Sequence, residues 1–106
     1  ARNNESTRRW LASLLGLWGR AGVTPSQVET LVEFCTMVDK TPDEIINECL
    51  RAKSDGDTFV LRTRARKAFM EQIEQFEGQT ASRDRANIVR SFFIHNGVAM
   101  NPHILV

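Results

Sequence analysis

A chain of 106 residues is the length of one ordinary domain, and 42% apolar with 25% charged residues is the composition of a globular protein, not a disordered one. It has no run of eighteen apolar residues to span a membrane, and its start, Ala1-Arg2-Asn3-Asn4-Glu5, has no apolar stretch of a secretory signal, so a cytoplasmic protein is expected. The formal net charge is only +1, which leaves the pattern of charge, not its sum, to speak about partners.

The first helix is expected over about Thr7 to Ala21, capped by Ser6 and stopped by Gly22. Trp10, Leu14, Leu17 and Trp18 recur at helical spacing, with Leu11 and Leu15 widening the stripe, so both tryptophans read as core. The opposite stripe is Arg9, Ser13, Gly16 and Arg20, where close approach of another helix would explain Gly16. The second helix opens with Thr24-Pro25-Ser26-Gln27, a capping box with proline at the first helical position, and its apolar face is Val28, Leu31, Val32, Cys35 and Val38. The third opens the same way with Thr41-Pro42-Asp43-Glu44, continues through Ile45, Ile46, Cys49 and Leu50, and ends at Ser54-Asp55-Gly56-Asp57.

The fourth helix is expected over about Thr58 to Glu77, stopped by Gly78, with Leu61, Ala65, Ala68, Phe69, Gln72, Ile73 and Phe76 on one face. The fifth runs from about Ala81 or Arg83 to Asn96, with Thr80 or Ser82 as cap. Ala86, Ile88, Val89, Phe92 and Phe93 face the core there, and Asn96-Gly97 is a left-handed stop. No segment alternates at period two for long enough to make a sheet, so the fold expected is all-α, a compact bundle of about five helices.

Cys35 and Cys49 make no disulfide framework and fall on apolar faces, as free thiols in a reducing compartment do. His95 and His103 have no clustered acids or cysteines, so no metal or other cofactor is expected. No Ser–His–Asp, Cys–His or paired-carboxylate constellation is visible either, so no enzyme is expected.

The charges are segregated. Residues 2–20 carry Arg2, Arg8, Arg9 and Arg20 against Glu5, and residues 29–48 carry six acids against Lys40. Residues 51–67 carry six bases against Asp55 and Asp57. A helix is partially positive at its N-terminus, so stability favours acids first and bases last. The fourth helix reverses this, with Arg62, Arg64, Arg66 and Lys67 early and Glu71, Glu74 and Glu77 late. A bound polyanion such as double-stranded DNA is one reason for that order; a solvated face that pairs with the acidic second and third helices is the plainer one. On the fifth helix Arg83, Asn87, Arg90 and Ser91 form one stripe opposite the core face, and Arg and Asn are side chains that can read guanine and adenine edges. Thr80 and Ser82, at the cap, are suited to a phosphate.

Phe34-Cys35 leading to Lys40-Thr41-Pro42-Asp43-Glu44-Ile45-Ile46, then Phe69 to Phe76 with Gly78-Gln79-Thr80-Ala81-Ser82, and finally Arg90-Ser91-Phe92-Phe93-Ile94-His95-Asn96-Gly97-Val98 resemble, in order and spacing, the N-terminal core-binding domain of archaeal-type tyrosine recombinases (integrases). Asn101-Pro102 resembles the start of that family's linker. The resemblance covers about residues 24–102. It implies a SAM-like helical domain at 1–98, with 1–23 as an extra N-terminal helix, and a linker at 99–106 toward a catalytic domain.

The activity so implied is half of a DNA clamp in site-specific integration and recombination, working beside neighbouring recombinase protomers. The chain has no tyrosine, so no catalytic residue carries over. The family's aromatic in its first helix has no counterpart at Gln27 and Val28; either the first helix here is additional, or Trp10 is that aromatic and the second helix is inserted. Self-association of a SAM-like bundle, acidic helices against basic ones, is the alternative function.

Overall fold

The computed structural model describes residues 5–52, 59–98 and 100. It is an all-α bundle of five helices: α1 (Glu5–Trp18), α2 (Pro25–Val38), α3 (Pro42–Cys49), α4 (Thr63–Thr80) and α5 (Arg83–Ile94). A 3₁₀ turn over Gly19–Gly22 follows α1, and two three-residue strands, β1 (Leu50–Ala52) and β2 (Phe59–Leu61), separate α3 from α4.

The helix starts follow local chemistry. Pro25 and Pro42 occupy first-turn positions where the missing N–H costs nothing. The Gln27 carboxamide oxygen accepts from the Thr24 amide at 2.9 Å. Thr41 Oγ1 accepts from the Glu44 amide at 3.2 Å while Glu44 Oε1 accepts from the Thr41 amide at 2.8 Å. Ser82 caps α5 by accepting from the Arg85 amide at 3.1 Å. The start of α1 is capped from outside: Asp43, on α3, accepts from the Glu5 and Ser6 amides at 3.2 and 2.9 Å and from the Ser6 hydroxyl at 2.6 Å. Ser6, the expected cap, thus lies buried inside the helix.

Several boundaries differ from the sequence reading. α3, expected to continue through Leu50, ends at Cys49, because Leu50–Ala52 are extended as β1. α1 gives way to the 3₁₀ turn at Gly19, whose φ of 68° ends the α-helix before Ala21. α4 starts at Thr63 because residues 59–61 pair antiparallel with 50–52 (Leu50↔Leu61, Ala52↔Phe59), and the Arg62 amide donates to the Cys49 carbonyl at 2.7 Å. Three-residue strands are too short for an alternation to show. At its other end α4 runs through Gly78 to a left-handed Ala81, φ 53°. The expected stop at 54–57, the expected helix start at Thr58 and the Asn101-Pro102 linker lie outside the described residues.

The core is centred on α5, which touches α1, α2 and α4. Phe92 meets Trp10 edge-on at 5.6 Å between ring centroids, and Phe93 meets Phe69 at 5.7 Å and Phe34 at 6.3 Å. Ile45, Cys49, Ile73, Val89 and Val98 complete it, and Met100 is also buried. α1 is anchored on α3 and α5 from Ser6 to Leu14, and its last turn is exposed. Trp18, expected in the core, is 63% exposed, with Leu15, Leu17 and Val32 also exposed. Helical spacing defines a stripe, but how much of the stripe finds a partner depends on where neighbouring helices end. Gly16 is likewise not a close-packing site: a Cβ there would meet nothing within 4 Å. Ala68 too is exposed. No helix among the described residues is long and apolar enough to cross a membrane.

Candidate nucleic-acid interface

α4 starts on Arg62, a side chain with no acceptor atom, and among the described residues no side-chain cap forms there. No acid stands in its first turn. Arg62, Arg64 and Lys67 are exposed, and none of the three forms a side-chain ion pair or hydrogen bond with another described residue. Arg66 is half-buried, and its charge acts on the Cys49 thiol. The other four helices differ. α2 and α3 carry capping boxes, α5 has Ser82 and an early Asp84, and α1 has Asp43. At the start of α4, therefore, the free amides of a helix N-terminus and three solvent-facing cations coincide, an arrangement that repels cations and attracts anions.

The stripe expected on α5 is not a surface. Asn87 and Arg90 are each only 4% exposed. One Arg90 nitrogen donates to Asn87 Oδ1 at 2.8 Å, and both terminal nitrogens lie 3.4 Å from Glu77 Oε1. Ser91 accepts from the Trp10 indole N–H at 3.1 Å. Arg83 stays exposed, 3.9 Å from Glu77 Oε2. The physical reason is crowding: a helix with neighbours on three sides has no free back, and the polar residues flanking its apolar face are covered by α4 and α1.

Thr80 donates its hydroxyl to the Phe76 carbonyl at 2.8 Å in its own helix, and Ser82 is spent on the α5 cap. Of the ten expected site residues, Arg62, Arg64 and Lys67 cluster with Arg66 at one end of α4. Thr80, Ser82 and Arg83 lie at the other, about 24 Å away along the helix.

The polar stripe of α1 has a similar fate. Arg9 Nε donates to Asn96 Oδ1 at 2.9 Å, and the Ser13 hydroxyl lies 2.6 Å from His95 Nδ1. These contacts fix α1 on the end of α5. Two features escaped the sequence reading. One is the bare start of α4, whose signal was the lack of Ser, Thr, Asp or Asn at position 62. The other is an open cleft of about 770 Å³ between α1 and α2, floored by Leu11, Val28, Leu31, Val32 and Cys35. No group of three or more His, Cys, Asp or Glu among the described residues could hold a metal ion. Comparison with known protein families, curated proteins and solved structures finds no match.

Proposed function

We propose that this chain is a non-catalytic duplex-DNA-binding module, the core-binding half-clamp of a site-specific tyrosine recombinase, and that it holds DNA through the start of α4. The observation that carries the reading is the coincidence there of a helix N-terminus with no side-chain cap from a described residue and exposed Arg62, Arg64 and Lys67. A phosphate accepts from the first-turn amides while the three side chains displace counterions from adjacent phosphates. With Asn87 and Arg90 buried, the contacts are to the backbone, which position a protein without reading sequence. The isolated chain then binds duplexes with little preference. The resemblance in residues 24–102 supplies the recombinase context.

Fluorescence anisotropy with a labelled duplex tests this. Affinity should fall steeply between about 50 and 200 mM salt, and the double substitution Arg64→Ala, Lys67→Ala should weaken binding to all sequences alike. Unchanged affinity in that variant defeats the assignment. A second reading, charge-driven self-association, is favoured by exposed Glu29 on α2, Asp39 at its C-cap and Glu44 on α3. It requires an oligomer that dissolves in salt and is indifferent to DNA.

A further inference from the structure

α4 turns one charged face to solvent. Arg64, Lys67, Glu71 and Glu74 are all exposed, and the α-helical repeat places the four within about 80° of arc, opposite buried Phe69, Ile73 and Phe76. None of the four forms an ion pair or a hydrogen bond with another described residue. Even Lys67 and Glu71, four positions apart, form no bridge; with the base first, theirs is the weaker order. The four are also spaced symmetrically. Along the axis Arg64 and Glu74 each lie about 7.5 Å from the level of Phe69, and Lys67 and Glu71 each about 3 Å, with the bases on one side and the acids on the other. Arg83 on α5 stands near the acidic end, but its contact is Glu77, which lies outside the arc, so the order of signs within the arc is unchanged.

A helix charged in this way repels a parallel copy in register and matches an antiparallel one. Turned end for end at the level of Phe69, Arg64 of one copy meets Glu74 of the other, and Lys67 meets Glu71. Two-fold symmetry makes each contact occur twice, so four ion pairs form from groups left unpaired in the single chain. Ala68, exposed and small, stands beside the symmetry axis and lets the two helices approach. We propose that this outer face of α4 is a two-fold homodimer surface whose partner is a second copy of the chain. One helix face is less than a stable dimer buries, and exposed ion pairs are individually weak, so the association is weak and sensitive to salt. Its consequence is regulatory: Arg64 and Lys67 cannot serve a second copy and a phosphate backbone at once. That exclusion rests on the DNA-binding reading; the dimer itself does not.

Sedimentation equilibrium of the chain at low salt, up to millimolar concentration, tests it. A dimer that dissociates on adding salt is expected. Arg64→Glu and Glu74→Arg each set like charges opposite one another and should each weaken dimerisation by about an order of magnitude. The double variant restores opposite charges with the polarity reversed and should regain the dimer. Both positions are exposed, so helical circular dichroism should be unchanged in all three. Glu74→Arg also separates this dimer from pairing through the acids of α2 and α3, which it leaves intact. A chain that is monomeric at every concentration overturns the proposal. So does a dimer that salt leaves whole, one that either single variant retains at full strength, or a double variant no better than the singles. A duplex of about one helical turn, added to the unsubstituted dimer, should release monomers as it binds; a dimer that takes up duplex without dissociating overturns the exclusion. A charge-dependent dimer in a chain that binds no duplex upholds the α4 surface and defeats the DNA-binding reading instead.

Discussion

Glu77 Oε1 stands 3.4 Å from both terminal nitrogens of Arg90, which ties the last turns of α4 to the middle of α5. The guanidinium is almost wholly desolvated, whereas the Glu77 side chain keeps 26% of its surface in solvent. Removing the acid strands a buried cation. Glu77→Ala should therefore destabilise the fold by about 1–3 kcal/mol, less than for a fully buried pair, while Arg90→Met, which removes the charge and keeps the volume, should cost less. Urea unfolding of both variants checks the order. Arg90→Met should leave duplex affinity of the folded protein unchanged.

Arg64 sits in the first turn of α4 against the helix dipole. Arg64→Glu should raise stability by about 0.3–1 kcal/mol at low salt and lower duplex affinity at the same time. Thermal unfolding and anisotropy on the same samples would show the two effects moving in opposite directions. A parallel loss of both would mean that Arg64 serves the fold.

Asp43 responds to acid. Partial burial pushes its carboxyl up, but the Ser6 hydroxyl, the Ser6 and Glu5 amides and the Arg9 charge together hold it below the usual carboxylate range. A group depressed in the folded state contributes stability that is present above its unfolded value and lost as pH falls through the folded one. Acidification below about pH 4 should therefore loosen α1 from α3. Asp43→Ala should do so at neutral pH, at a cost of about 1–2 kcal/mol. Amide exchange in α1 measured against pH would reveal it.

Burial pushes the Cys35 thiol up to about 12. At Cys49 burial and the neighbouring Glu48 raise it to about 11 against the pull of Arg66. Thiolate is the reactive form, so neither residue should react with a disulfide reagent near pH 8 on the timescale of a free cysteine, and both should react once the chain unfolds.

The glycines separate by backbone conformation. Gly16 and Gly78 lie inside helices with open space where a Cβ would go, so alanine there should stabilise by about 0.5–1 kcal/mol. Gly97 has φ 88°, so Gly97→Ala should destabilise by about 1–2 kcal/mol although its Cβ would meet only Leu50 Cδ1, at 3.8 Å. Thermal melts of the three variants give the comparison.

The parts of this fold that were legible in the sequence are those set by neighbours in the chain. Thr24-Pro25 and Thr41-Pro42 mark helix starts because cap chemistry spans only three residues, and Phe92-Phe93 declare a core because no surface suits both. The errors lie where the partner is distant. Whether Arg90 faces water depends on Glu77, thirteen positions away, and whether Trp18 is covered depends on how far α3 and α5 extend. The β1–β2 pair rests on a register that no three-residue pattern announces. For the candidate interface, the reversed charge order of α4 was readable from composition along one helix. The α5 half was not, since a helical wheel knows the apolar side of a helix but not how many neighbours surround it.

Asn96 Nδ2 donates to the Ser6 carbonyl at 3.0 Å across ninety positions, and Arg9 and Ser13 grip the same end of α5. α1 is therefore held from two places in the chain, its first turn by Asp43 on α3 and its middle by the end of α5. The second anchorage joins residues 82 to 90 positions apart, and contacts of such long sequence separation are the slow ones to form. Local capping can shape α1 early, but its final seat depends on the bundle closing over the whole span between them.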